Sequence, residues 1–207
     1  MTSSIFKVAL LVLLLPGVTA WADTGLTDPS PLIQDTAGRI FDKINARRDE
    51  ISQDPGIAED IVRTVLLPLM DIDYSARLIL GREARGATPE QLAEFARVMN
   101  DQLISRYATG LLAFKSREQI EVMDLKGDIN PKATRVKTRF RLDSGGFALV
   151  DYVFHMTDEG WKVFDVVVEG ISYIVSFQGQ IKPEVRANGL DSVIERMRNG
   201  ELNLATG

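Results

Sequence analysis

A chain of 207 residues that is 45% hydrophobic and 26% charged has the make-up of a globular domain, which excludes disordered, collagenous and coiled-coil architectures. Its 24 basic and 29 acidic side chains leave a net charge of −5, so nothing chain-wide attracts nucleic acid. With no cysteine and a single histidine, His155, disulfides, thiolate chemistry and any metal site needing two histidines are ruled out.

Residues 1–22 read as an export signal. Lys7 adds positive charge to the amino terminus, Val8 to Leu15 is unbroken apolar sequence, and Pro16-Gly17 then breaks the run. Ala20-Trp21-Ala22 places small residues where a signal peptidase cuts, so cleavage is expected before Asp23. As a helix, the apolar run would cover only about 12 Å of a roughly 30 Å hydrocarbon core, too little for a membrane anchor. Removing Lys7 leaves 23 basic residues against 29 acidic ones, a net −6, in a mature chain 23–207 expected to form one domain. In a bacterium its compartment is the periplasm.

Helical spacing dominates the first half. Ile33, Ala37, Ile40, Phe41 and Ile44 form one stripe after Pro29 and Pro31, with Ile51 two turns on. Ile57, Ile61, Val65 and Leu66 form a second, limited by Pro68. A third helix is expected from about Asp71 to Leu80, stopped by Gly81. Thr88-Pro89-Glu90-Gln91 reads as N-cap, first-turn proline and capping-box glutamine. The helix that it opens carries Leu92, Ala96, Met99, Leu103, Tyr107 and Phe114 on one face, over about 25 residues.

From Arg117 the period changes to two. Strands are expected at Ile120–Leu125, Arg135–Leu142, Phe147–Thr157 and Trp161–Val168, with turns at Asp143–Gly146 and Asp158–Gly160. Within the second, Arg135, Lys137, Arg139 and Arg141 alternate with apolar residues, giving one basic face. Gly170 is expected to open a helix through about Val185, and Leu190, Val193, Ile194 and Met197 stripe a last one. Three or four antiparallel strands in a meander, with helices on one face, make an α+β domain.

Two places carry more apolar surface than one core needs. After Gly170, Ile171, Ile174, Val175 and Ile181 form one stripe while Tyr173 and Phe177 form another. Phe164, Val166 and Val168 point to one side of the last strand, Val163 and Val167 to the other. Burial on both sides and an apolar cavity between sheet and long helix both fit this pattern.

Three segments resemble the MlaC-type periplasmic phospholipid carriers, also called the toluene-tolerance family. They are Val65-Leu66-Leu67-Pro68-Leu69-Met70 continuing through Asp73-Tyr74-Ser75-Ala76 and Leu78-Ile79-Leu80-Gly81; Ala87-Thr88-Pro89-Glu90-Gln91 with Tyr107; and Trp161-Lys162-Val163-Phe164-Asp165-Val166-Val167-Val168-Glu169-Gly170-Ile171-Ser172. With the final Gly189-Leu190-Asp191 helix, the likeness extends over essentially the whole mature chain. At Ser176-Phe177-Gln178-Gly179-Gln180, relatives often show a more polar stretch with an arginine.

The resemblance implies an NTF2-like fold whose sheet's concave face and helices enclose acyl chains, with the headgroup outside. It implies glycerophospholipid as cargo and no cofactor or metal. The expected partners are an inner-membrane ABC transporter with its substrate-binding subunit and an outer-membrane lipoprotein–porin complex; the role is to maintain outer-membrane lipid asymmetry. Lipid contacts are expected from Leu69, Met70, Tyr74 and Leu78, from Met99, Leu103 and Tyr107, from Phe140, Tyr152, Phe154, Phe164, Val166 and Val168, and from Ile171 and Val175. The basic stripe Arg135, Lys137, Arg139, Arg141 is either a solvated strand face or a docking patch for an acidic partner or headgroups.

An enzyme reading stays open beside the carrier. Asp165 in an apolar strand, or Asp151 beside Tyr152 and His155, offers the carboxylate base that an NTF2-like isomerase would use. The same carboxylates also suit a sheet face or a helix cap. His155 reads as a strand-surface residue.

Overall fold

The computed structural model describes residues 26–204, and the expected export signal lies outside them. Helix α1 (Ser30–Ala46) has Pro31 in its first turn and buries Ile33, Ile40 and Ile44. Short helices α2 (Arg48–Gln53) and α3 (Gly56–Ile61) follow. The chain then widens into a π turn at Val62–Leu66 and tightens into a 3-10 turn at Leu67–Leu69. Pro68, which lacks an N–H, cannot prolong an α-helical ladder here.

Helix α4 (Ile72–Leu80) starts at Asp71, whose carboxylate accepts from Tyr74 N, and stops at Gly81, where φ is +61°. Helix α5 (Pro89–Tyr107) opens with the expected capping box between Thr88 and Gln91. Its α-helical part is 19 residues, shorter than the spacing predicts, because the chain tightens to a 3-10 turn over Ala108–Ala113. Thr109 and Gly110, both poor helix formers, fall there.

Strands β1 (Ile120–Val122), β2 (Thr134–Arg141), β3 (Phe147–Thr157), β4 (Gly160–Val168) and β5 (Ile171–Ser172) form one antiparallel sheet in sequence order. The fifth strand was not expected. Glu169 (φ +49°) and Gly170 (φ +83°) make a two-residue turn with both φ positive, the geometry that folds a hairpin back tightly. Ile171 and Ser172 therefore pair with Val168 and Val167 before the last helices, α6 (Tyr173–Asn188) and α7 (Leu190–Arg198), begin. A register shift between Val153 and Phe154 bulges β4 at Phe164 and bends the sheet.

Three apolar clusters hold these elements together. Phe95, Leu80, Ile181, Val193 and Met197 join α4 to α7. Ile44, Ile61, Val65, Ile104 and Phe114 join α1 and α3 to the end of α5. Ile33, Val136, Phe154, Trp161 and Val163 fix α1 on the sheet. Each fully buried side chain of this kind contributes about 1.5–3 kcal/mol. Among the described residues, no helix is long and apolar enough to cross a membrane.

Candidate functional site: a two-lobed apolar cavity

The space between the clusters is a pair of adjoining cavities. The first, of about 220 Å³, lies where α4, α5 and α6 face β4. Its walls include Leu66, Leu67 and Met70 from the turns before α4, and Met99, Leu103 and Tyr107 from α5. Phe164 and Val166 come from β4, Tyr173, Ile174 and Phe177 from α6. The second, of about 290 Å³, lies between α1 and the sheet, against Ile33, Thr36, Ile40, Leu69, Phe114, Ile120, Phe140 and Tyr152. Leu66 and Val166 line both, so the two lobes meet at these side chains. An apolar cavity of about 150 Å³ already stays dry and takes a benzene-sized guest, so each lobe has room for hydrocarbon.

Polar groups in the walls are few. The Ser75 hydroxyl is satisfied by the carbonyls of Asp71 and Phe164, both at 2.7 Å. In the second lobe, burial pushes the Tyr152 phenol up to about 12, so it stays neutral throughout the ordinary pH range.

Nine of the residues expected from the sequence meet at these cavities. Met70, Met99, Leu103, Tyr107 and Phe164 line the first, Leu69, Phe140 and Tyr152 the second, and Val166 both. Six lie outside both. Phe154 is fully buried, sealed against Val136, Trp161 and Val163. Leu78 packs onto the α4–α7 cluster. Tyr74, 37% exposed, stacks on His155. Val168 ends β4 opposite Val150 and Ile171, and the turn at Glu169-Gly170 carries Ile171 and Val175 outward, where they are 52% and 66% exposed. Leu66, Leu67, Ile79 and Ile174 were not singled out for the site. The first two sit in π and 3-10 turns, where neither helical nor strand periodicity identifies a face.

The four basic residues share one face of β2, as alternation requires, and two of them already have carboxylate partners. Arg139 makes a bidentate pair with Glu121, both bonds 2.7 Å, and Arg135 lies 3.3 Å from Asp151. The Arg139 and Arg141 guanidiniums lie over the Phe147 ring at 4.6 and 5.8 Å. None of the four basic residues lines either lobe.

The carboxylates considered for base chemistry are committed elsewhere. Asp165 accepts from Ser172 Oγ (2.6 Å) and from Ile174 N (3.1 Å), which caps the start of α6. Asp151 faces Arg135. His155 is not a surface residue: its side chain is 15% exposed, with Nε2 2.9 Å from Asp71 Oδ2 and Tyr74 stacked on the ring at 4.5 Å. The cause is the bond from Asp71 N to Val163 O (2.8 Å), which draws the start of α4 across the sheet.

Comparison with known proteins places this geometry. The chain is 28% identical over 177 residues to the intermembrane phospholipid transport system binding protein MlaC of Haemophilus influenzae, covering 83% of this chain and 81% of that one. It is 28% identical over 191 residues to the toluene tolerance protein ttg2D of Pseudomonas putida, covering 91% and 86%. Its fold is similar to that of a phospholipid-binding protein from Ralstonia solanacearum solved in complex with a phospholipid. There the TM-score is 0.75 at 19% identity, over 85% of this chain and 99% of the other. The sequence model described as MlaC protein matches residues 34–199, most of the chain, and the protein belongs to the MlaC family.

Proposed function

We propose that the protein is a periplasmic phospholipid carrier, which moves lipid between the outer and inner membranes and so maintains outer-membrane lipid asymmetry. The observation that carries this reading is the pair of joined cavities lined almost wholly by apolar side chains. Two acyl chains hold about 30 methylenes, each worth roughly 0.8 kcal/mol when removed from water. Leaving a bilayer for water thus costs on the order of 24 kcal/mol, which forbids useful free diffusion. An apolar cavity offsets most of that cost without any chemical step. The protein acts without catalysis, and direction comes from its partners.

Those partners are an inner-membrane ABC transporter with its substrate-binding subunit and an outer-membrane lipoprotein–porin complex. The relatives' names support this setting, since one belongs to an intermembrane phospholipid transport system. Acyl chains lie against Met99, Leu103 and Val166, and the headgroup stays outside. Organic extraction of the purified protein tests the proposal. About one glycerophospholipid per chain is expected, because release into water is slow at these energies. Protein that emerges from a lipid-replete periplasm without phospholipid would contradict it.

A further inference from the structure

The stretch from Leu66 to Ile72 is a strap that forms part of both lobes. Leu66, Leu67, Met70 and Ile72 face the first, and Leu66 and Leu69 the second. It begins at the π turn Val62–Leu66, a wide turn that interrupts the regular α ladder, and it ends at Asp71, the cap of α4. Leu69 and Met70 pack on the apolar cluster of the sheet, and three polar bonds fasten the strap besides. Asp71 N donates to Val163 O (2.8 Å), Lys162 Nζ donates to Pro68 O (2.9 Å), and Asp71 Oδ2 lies 2.9 Å from His155 Nε2.

The two oxygens of Asp71 do separate work. Oδ1 caps α4 by accepting from Tyr74 N, which leaves Oδ2 for the imidazole. Tyr74 lies flat on that imidazole, 4.5 Å between centroids and 17° between planes. Phe164, a wall of the first lobe, packs edge-on against both rings at 5.3 Å. One imidazole therefore touches the strap by a hydrogen bond and the cavity wall by a ring contact, although it lines neither lobe.

We infer that Asp71 and His155 form a latch that holds the strap against the sheet, and that this latch sets how fast an acyl chain leaves the cavities. The inference rests on the carrier reading above. Because the strap forms part of the wall of both lobes, a shift of the strap widens the path by which a chain passes between lobes or withdraws. Shifting it breaks discrete polar contacts, whereas the apolar lining can slide. His155 is thus a positioning residue, and the π turn at Val62–Leu66 is where the strap swings.

The rate of transfer of pyrene-labelled phosphatidylglycerol from loaded protein to excess phosphatidylcholine vesicles tests this. His155→Phe keeps a ring beside Tyr74 and Phe164 but gives Asp71 no donor, and release should quicken roughly three- to tenfold, the factor one hydrogen bond makes. His155→Gln discards the ring packing but restores a donor, and should return the rate toward that of the parent. A merely structural role predicts the opposite order. Lys162→Met removes the second fastening, should also quicken release, and decides the matter if His155→Phe does not fold. Unchanged rates in the folded variants, or His155→Gln as fast as His155→Phe, overturns the latch. Protein that takes up no phospholipid at all overturns the carrier reading, and the latch with it.

Discussion

Leu103 and Phe154 are both large apolar residues at positions their periodicities point inward, yet they should respond differently to substitution. Leu103 borders the first lobe, while Phe154 is sealed among Val136, Trp161 and Val163. Leu103→Glu puts an ionised group where hydrocarbon should lie, and an unpartnered buried charge costs several kcal/mol. Once lipid is gone, water can enter the lobe and solvate the carboxylate, so the fold should survive while bound lipid is lost. Phe154→Ala should instead cost about 3–5 kcal/mol, with lipid lost only as the fold melts. Melting temperature and extracted lipid, measured on the same samples, separate the two outcomes. Alternation along β3 marks Tyr152 and Phe154 as sharing a face but says nothing of which meets a void, because a cavity is set by what the opposing helix leaves unfilled. Tyr152 offers its own check. Its neutral form is favoured in the fold, so stability is full below the usual tyrosine value near 10 and falls as pH rises toward about 12. Of the four tyrosines, one should resist ionisation in a spectrophotometric titration until that range or until the chain unfolds.

Helix α5 supports Met99, Leu103 and Tyr107 along the first lobe, and its start is fixed by the reciprocal bonds of Thr88 and Gln91. Thr88→Ala should cost about 1 kcal/mol and lower the melting temperature by roughly 2–4 °C, with lipid still bound, since the cap lies away from the cavity. Loss of lipid at full stability would show that the helix start governs the lobe. That cap was legible in the sequence because its chemistry is local, spanning four residues. The hairpin to β5 was not, since Glu169 adopts a positive φ that its residue type disfavours, held by bonds between Glu169 and Leu149 across the sheet. Asp71 and His155 are 84 residues apart, and no pattern along the chain joins them. The helix after Gly170 was expected and is present, but it starts at Tyr173, after the hairpin turn and β5.

At the scale of the molecule, three apolar clusters meet without merging, and the gap between them is the site. An α+β fold with a meander could be read from the change of period at Arg117; the second lobe under α1 could not, because its walls come from α1, from separate short turns and from strands β1 to β4. The central claim is that acyl chains occupy both lobes. Photo-crosslinking with a phospholipid carrying a diazirine in its acyl chain, followed by peptide mass spectrometry, tests it most directly. Adducts are expected on Met99 or Leu103 and on Leu69 or Phe140. Adducts confined to the exposed residues Leu149, Ile171 and Val175, with the lobes unlabelled, would contradict it.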